Sequence, residues 1–418
     1  MKVSRRTVLG AATAGATLAA MSKVQAAKPS SPTLSSITTG AQPITPQERN
    51  NRLGKVQGLM QQQKMAALLV ESGSTLEYFT GIRWRRSERI TAAVIPATGQ
   101  VTVITPFFEE PSVRETMQIP GEVRHWNEDE SPFELIVRVL EDHGGGEGPL
   151  AVEATTRFFI VNGISKAAHG GRGIVSGDEL VRACRMFKSP AELALMQSAN
   201  DVTMAALRYV HGRIELGMQP SDIERMMTEA TAALGGDTAE FSLVLLNEAS
   251  AYPHGSRKPQ KVRKGSVILM DCGCTVHSYQ SDISRSWVFG EPTPHQREVW
   301  NMVKQGQQLA LETAKIGQPA GAVDIAVRAF YERHGWRKDY GLPGLSHRTG
   351  HGIGMDGHEA PFLVRNDTTP LQAGMCFSDE PGIYIPGEFG IRLEDCWCMT
   401  EHGPKLFTPL AASIDQPV

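Results

Sequence analysis

Asp271 follows the apolar run Val267-Ile268-Leu269-Met270, and Glu394 follows Ile391-Arg392-Leu393. Both acids stand where a sheet is being buried. An unpaired carboxylate taken out of water costs several kcal/mol and would sooner protonate, so clusters of such acids hold cations. Each has a companion: Asp282 lies eleven residues after Asp271, and Glu380 fourteen residues before Glu394. Asp271 and Glu380 also each lie six residues after a glycine, Gly265 and Gly374. Between the pairs run Gly350-His351-Gly352-Ile353-Gly354 and Gly357-His358-Glu359. One such acid alone would be a strand-end surface residue or half of an ion pair. Four in duplicated positions, with histidines between them, form a set that holds divalent ions.

A cluster of this kind needs rigid elements to carry it, and the sequence supplies them twice. Ser189-Pro190-Ala191-Glu192 is a capping box with proline at the first helical position, followed by Met196, Ala199, Ala206, Val210 and Ile214 on a helical stripe that Gly217 ends. A second capping box, Ser221 to Glu224, opens a helix carrying Ile223, Met227, Ala230 and Leu234, closed by Gly235-Gly236. Strands follow. The same order returns with a helix around Val299, Met302 and Val303 that stops at Gly317, another with Val323, Val327 and Phe330 that stops at Gly335, and strands again. This internal duplication predicts a pseudo-two-fold arrangement, with helix pairs over a shared curved sheet and all four carboxylates at one centre. Cys272 and Cys274, and Cys396 and Cys398, are spaced i, i+2 in these strands and read as small buried side chains.

The ordered set Tyr252-Pro253-His254-Gly255, Asp271-Cys-Gly, Ser281-Asp282-Ile-Ser-Arg285, His347 with His351-Gly-Ile-Gly and His358, Glu380-Pro-Gly-Ile-Tyr and Ile391-Arg392-Leu-Glu394-Asp395 resembles the pita-bread metallopeptidases, in the branch of aminopeptidase P and prolidase. The resemblance implies an α+β protein, with a creatinase-like N-terminal α/β domain over 48–183 and a pita-bread catalytic domain with an internal pseudo-two-fold repeat over 184–418. It implies hydrolysis of the Xaa-Pro bond, in dipeptides or at the N-terminus of longer peptides. Asp282 and Glu394 would bridge two divalent ions, Asp271 would chelate one, and His351 and Glu380 would complete the other. Ions about 3.5 Å apart would share a hydroxide, with Glu380 taking its proton and passing it to the leaving proline nitrogen. Four carboxylates and one imidazole are a hard set, favouring Mn(II), Fe(II) or Co(II) over Zn(II). His254 and His358, not needed as ligands, would hold the scissile carbonyl and its developing charge. His347 would line the proline pocket, and Arg392, on the strand face of Glu394, would orient a ligand.

Other readings within the same fold are a metal-free creatinase-like hydrolase, which the occupied ligand positions disfavour, and a metal-dependent lyase on a small sulfonium substrate. A non-catalytic binding protein would have lost ligands and gained charge of one sign, and neither is seen. Methionine aminopeptidase is disfavoured by the large domain ahead of Ser189.

That first half alternates between helix and strand: a helix up to Lys64, strands at 66–70, 90–95, 101–105 and 150–153, and a helix over 133–140. The glycine-rich run 144–148 reads as a loop, since a strand and not a helix follows it. Trp84 sits among Arg83, Arg85, Arg86 and Arg89. It is either one packed aromatic in a solvated basic loop or part of a cleft wall where an arginine meets a substrate carboxylate. In the resembled enzymes this domain, often from a neighbouring subunit, helps close the cleft, which implies a homodimer or higher homo-oligomer.

Ahead of this domain, Ser4-Arg5-Arg6-Thr7-Val8-Leu9, a mild apolar stretch to Met21 and Val24-Gln25-Ala26 read as a twin-arginine signal over residues 1–26. A bacterial protein exported folded, to the periplasm or beyond, is expected. Residues 27–47, rich in Pro, Ser and Thr, read as a disordered tether. Losing the leader removes Lys2, Arg5, Arg6 and Lys23, leaving 38 basic against 45 acidic residues. That balance disfavours a nucleic-acid partner, and no apolar run is long enough for a membrane span.

Overall fold

The computed structural model describes residues 34–143, 148–171 and 173–418. The signal segment, residues 27–33 of the expected tether and residues 144–147 of the glycine-rich loop lie outside the described residues. Ser35 to Val418 forms one packed unit.

Its first half is built from α1 (Pro46–Gln62), β1 (Ala67–Glu71), α2 (Ser74–Thr80), β2 (Ala92–Pro96), β3 (Val101–Pro106), α3 (Glu110–Thr116), β4 (Gly121–Trp126), α4 (Pro132–Asp142), β5 (Leu150–Val152), α5 (Phe158–Ala167), β6 (Ile174–Ser176) and α6 (Asp178–Arg185). The strands form one mixed sheet in the order β4-β3-β2-β1-β5-β6. Its centre, β1, is apolar on both faces and fully buried, as a strand covered by helices on both sides must be.

The second half begins with α7 (Pro190–His211), α8 (Pro220–Leu234), β7 (Thr238–Leu246), β8 (Ser266–Val276), β9 (Tyr279–Gln280) and β10 (Ile283–Phe289). It repeats the plan with α9 (Pro294–Thr313), α10 (Gly321–Arg333), β11 (Gly350–Gly352), β12 (Glu359–Leu363), β13 (Cys376–Asp379), β14 (Gly382–Ile385), β15 (Phe389–Arg392), β16 (Asp395–Thr400) and β17 (Gly403–Leu406). Helix α7 opens with the Ser189–Glu192 capping box, and α9 opens with the same device at Thr293 and Gln296. The repeats correspond closely at the acids. Gly265 and Gly374 both hold positive φ, 79° and 90°, which turns the chain into β8 and β13. Asp282 then stands immediately before β10, and Glu394 immediately before β16.

Four expectations need correction. The shared sheet is instead two main ladders, β10-β8-β7 and β12-β11-β13-β16-β17. They meet at the site, where the Glu394 N–H donates to the Ser284 carbonyl at 3.0 Å. The second helix is capped by Gln219 with Asp222, not by Ser221 with Glu224, because Pro220 already occupies its first turn. The domain boundary drawn at 183/184 falls inside α6, and the chain passes over at 186–189. The tether is not free throughout: the Ile37 N–H donates to Leu234 O at 2.9 Å and Thr38 Oγ1 to Gly235 O at 2.8 Å. These residues satisfy carbonyls that the end of α8 leaves without partners, and Ile44 is buried beyond them.

The halves are joined by polar contacts of low exposure. Arg52 of α1 donates to Tyr279 Oη at 3.1 Å, Tyr279 donates to Glu192 at 2.8 Å, and Ser189 donates to Glu48 at 2.7 Å. All six cysteines are free and buried.

Candidate metal centre

Asp271 lies in the middle of β8, opposite Ser284 of β10. The apolar run before it therefore does not end there; the strand continues to Val276. Asp282, Glu394 and Glu380 project from the ends of strands, and His351 from β11. The ligand atoms of Asp271, Asp282 and Glu394 all lie within 4.8 Å of one another, and so do those of His351, Glu380 and Glu394. Glu394 belongs to both groups, the position a carboxylate shared by two ions requires. His351 Nε2 is 3.6 Å from Asp282 and 3.5 Å from Glu380. Its Nδ1 lies 3.1 Å from the Gly352 carbonyl, and donation there leaves Nε2 free to accept from the acid side.

The charges do not balance. Asp282 is 5%, Glu394 1% and His351 1% exposed, and the cation in direct contact with the acids is Arg392. Burial first, then Glu394, Asp271 and Glu380, push the Asp282 carboxyl well above the usual carboxylate range. Burial and the neighbouring Glu380 and Asp271 do the same to Glu394, and burial raises Glu380 to about 7. Burial and the adjacent His358 pull His351 well below its ordinary value. Asp271 Oδ1 and Glu394 Oε1 are buried without hydrogen-bond partners. A donor set of hard oxygens and one neutral imidazole, with orphaned lone pairs and excess negative charge, fits divalent cations.

Arg392 ties this set together. It donates to Asp271 Oδ2, to Ser284 Oγ at 2.9 Å and to Tyr384 Oη at 3.1 Å, with Glu394 4.0 Å away. Ser284 in turn donates to Glu394 at 2.8 Å. His347 lies 2.7 Å from Tyr384 Oη and 3.8 Å from Glu380, and burial, with Arg392 nearby, lowers its pKa to about 3. Behind the strands, fully buried Arg285 binds Asp395 at 2.6 Å and the Glu394 carbonyl at 2.7 Å, fixing the chain that presents Glu394.

A cleft of about 990 Å³ opens over the acids, and His254, His347 and His358 all line it. The His358 ring lies 4.0 Å from that of His351, and its ligand atom is within 4.8 Å of those of Asp282 and His351. It is thus close enough to share an ion as well as to face a substrate. Trp84 does not line the cleft. It faces an adjoining cavity of about 670 Å³ that shares Glu240 and Gln280 with it. Its segment is held against the N-terminal domain by Arg86, which donates to Ser72 O at 2.9 Å and Thr155 at 3.0 Å, and by Arg89 paired with Glu128 at 2.8 Å. Sequence reasoning quoted Ser284 and Tyr384 within motifs but gave them no role, and it passed over Arg348. Ser284 was signalled by its i, i+2 spacing from Asp282 and Tyr384 by its place after Glu380, whereas nothing local marks Arg348, which lines the cleft.

Two family patterns match the chain: the creatinase/prolidase N-terminal domain over residues 52–187 and metallopeptidase family M24 over 194–401. The probable dipeptidase PepE of Mycobacterium tuberculosis is 31% identical over 346 residues, covering 81% of this chain and 88% of that protein. The Xaa-Pro dipeptidase of Lactobacillus helveticus is 28% identical over 362 residues, covering 85% and 96%. The crystal structure of dipeptidase PepE from Mycobacterium ulcerans superposes with a TM-score of 0.80 at 29% identity, covering 88% of this chain and 97% of that one. The chain belongs to metallopeptidase family M24, with a creatinase/prolidase N-terminal domain ahead of a pita-bread catalytic domain.

Proposed function

We propose that the protein is a two-metal Xaa-Pro dipeptidase. The observation that carries this reading is the pairing, in one cleft, of an acid cluster short of positive charge with Arg348, whose guanidinium lies over the Phe362 ring and 3.3 Å from His358 and is in no ion pair among the described residues. When bound, two divalent ions supply an activated water and polarise the scissile carbonyl. Asp282 and Glu394 would be shared by both ions, Asp271 would hold one, and His351 and Glu380 the other. Mn(II) suits this set, with Co(II), Fe(II) and Zn(II) as alternatives. Glu380 would take the water's proton and return it to the proline nitrogen. His254 and His358 line the cleft and would stabilise the charge that develops on the carbonyl. Arg348 would receive the C-terminal carboxylate of a dipeptide, which lies one residue beyond the scissile bond.

Hydrolysis of Ala-Pro against Ala-Pro-Ala tests the assignment. Ala-Pro should be the better substrate, and Arg348→Met should raise its KM by roughly 10–100-fold, the value of a charge-assisted hydrogen bond. A wild type that prefers the tripeptide, with Ala-Pro unaffected by Arg348→Met, would make the protein an aminopeptidase instead.

The twin-arginine leader supports a periplasmic site of action. Replacing Arg5 and Arg6 by lysine should retain the enzyme in the cytoplasm, and unchanged periplasmic activity would contradict that route. A homodimer or higher homo-oligomer is part of this reading.

A further inference from the structure

His358 has a weak hold of its own. Its side chain is exposed, and among the described residues its polar contact is Arg348 at 3.3 Å. Apart from the His351 ring 4.0 Å away, where the ring sits is set by the backbone on either side of it. That backbone is anchored by the next residue, Glu359, whose carboxylate is nearly buried and receives four donors. The Met355 and Asp356 N–H groups donate to Oε1 at 3.0 and 3.1 Å, Arg185 Nη2 to the same oxygen at 2.6 Å, and Lys188 Nζ to Oε2 at 3.1 Å.

The turn over 353–358 is thus wrapped around a carboxylate, and its cations come from outside it. Arg185 is the last residue of α6 in the N-terminal domain. It also reaches Asp356 Oδ2 at 2.9 Å, Ser74 Oγ at 2.9 Å and Thr75 Oγ1 at 2.7 Å, and Ser74 itself donates to Asp356 at 2.7 Å. The turn packs directly against this pair: a Cβ on Gly354 would fall 2.9 Å from both Glu359 oxygens and from Lys188 Cε. Its other side is fixed to the strand that leads into Asp282, since the Gln280 N–H donates to Gly354 O at 2.8 Å and Gln280 Nε2 to Met355 O at 3.2 Å.

We infer that Arg185, with Lys188, is a positioning residue: by gripping Glu359 and Asp356 from the N-terminal domain, it sets the backbone that holds His358 over the site. This rests on the hydrolase reading above. A guanidinium fork can reach Glu359, Asp356, Ser74 and Thr75 at once, which a lysine ammonium cannot, so loss of the fork at constant charge loosens the turn without removing a ligand. A displacement of about 1 Å at a reacting group can cost ~10²-fold in rate.

The test uses the full-length metal-loaded enzyme with Ala-Pro and compares Arg185→Lys, Lys188→Met, His358→Ala and the double variant Arg185→Lys/His358→Ala. Bound metal and circular dichroism should match wild type in Arg185→Lys and Lys188→Met. In Arg185→Lys kcat should fall by ~10–10²-fold with KM changed by less than about threefold. The double variant should be no slower than His358→Ala alone, because one residue acts through the other. Lys188→Met, which keeps the Arg185 fork, should lose less kcat than Arg185→Lys, and it provides the comparison with His358→Ala if Arg185→Lys does not fold. Wild-type kcat in Arg185→Lys, loss of metal from it, or a double variant slower by the product of the single effects would overturn the inference. Failure of the hydrolase reading is seen separately, as a wild-type enzyme that does not cleave Ala-Pro when loaded with metal.

Discussion

Glu359 and Glu394 are both buried carboxylates in the catalytic half, yet their surroundings are opposite. Glu359 has Arg185 and Lys188 against its two oxygens and two backbone N–H groups besides. Burial alone would raise its carboxyl, but the two cations hold it down to about 2. Glu394 has Ser284 at 2.8 Å, Arg392 at 4.0 Å, three more acids around it and one oxygen without a partner, and it is pushed well above the usual range. The same residue type, its side chain 9% exposed in one place and 2% in the other, is satisfied by the chain in the first and left short of positive charge in the second. Since an uncompensated buried charge is strongly unfavourable, the second cluster is built for a cation that the chain does not itself provide.

The sharpest way to break this comparison is to remove an acid from the open cluster. Asp282→Asn should lose more activity than the ~10–100-fold typical of mutating a hydrogen-bond partner of a ligand, because a carboxylate near both ligand groups is lost. Wild-type kcat and undiminished metal in Asp282→Asn would show that the acids at this point do not serve ions.

A smaller effect is expected at the closed cluster, and it is one of stability against pH. The folded carboxyl of Glu359 is depressed from 4.5 to about 2. Its contribution is therefore fully present above about pH 4.5 and is lost as pH falls towards about 2. Urea midpoints should show a gap between wild type and Glu359→Gln that is wide near about pH 6 and narrows below about pH 4.5. A gap independent of pH would mean that Arg185 and Lys188 do not hold this carboxylate in its charged form.

The difference between the two clusters also explains what the sequence disclosed. The open cluster was legible because each repeat places its acids by local rules, a left-handed glycine followed by a buried strand, and because unpaired acids in apolar runs are conspicuous. The closed cluster was not, because Arg185, Lys188 and Glu359 look like ordinary charges until α6 and the 353–358 turn are brought together across 170 residues of chain. Short elements were missed for related reasons. Strand β4 shows half-exposed polar residues in place of an apolar run, and α2 has seven residues and no side-chain cap. Residues 35–45 lack apolar periodicity, so the carbonyls of α8 that Ile37 and Thr38 satisfy had to be seen to recognise the segment as tied to the fold. Trp84 allowed two readings, a packed aromatic in a basic loop or part of a cleft wall; it lines the adjoining cavity, and two of its arginine neighbours are occupied by partners on their own domain.

The most direct test of the central claim is to strip the purified enzyme with a chelator and follow Ala-Pro hydrolysis while Mn(II) is added back and bound metal is counted. Activity should be absent without metal, rise with occupancy, and level off at two ions per chain, the number that two ligand groups sharing Glu394 can hold. Full turnover by protein containing no metal would contradict it.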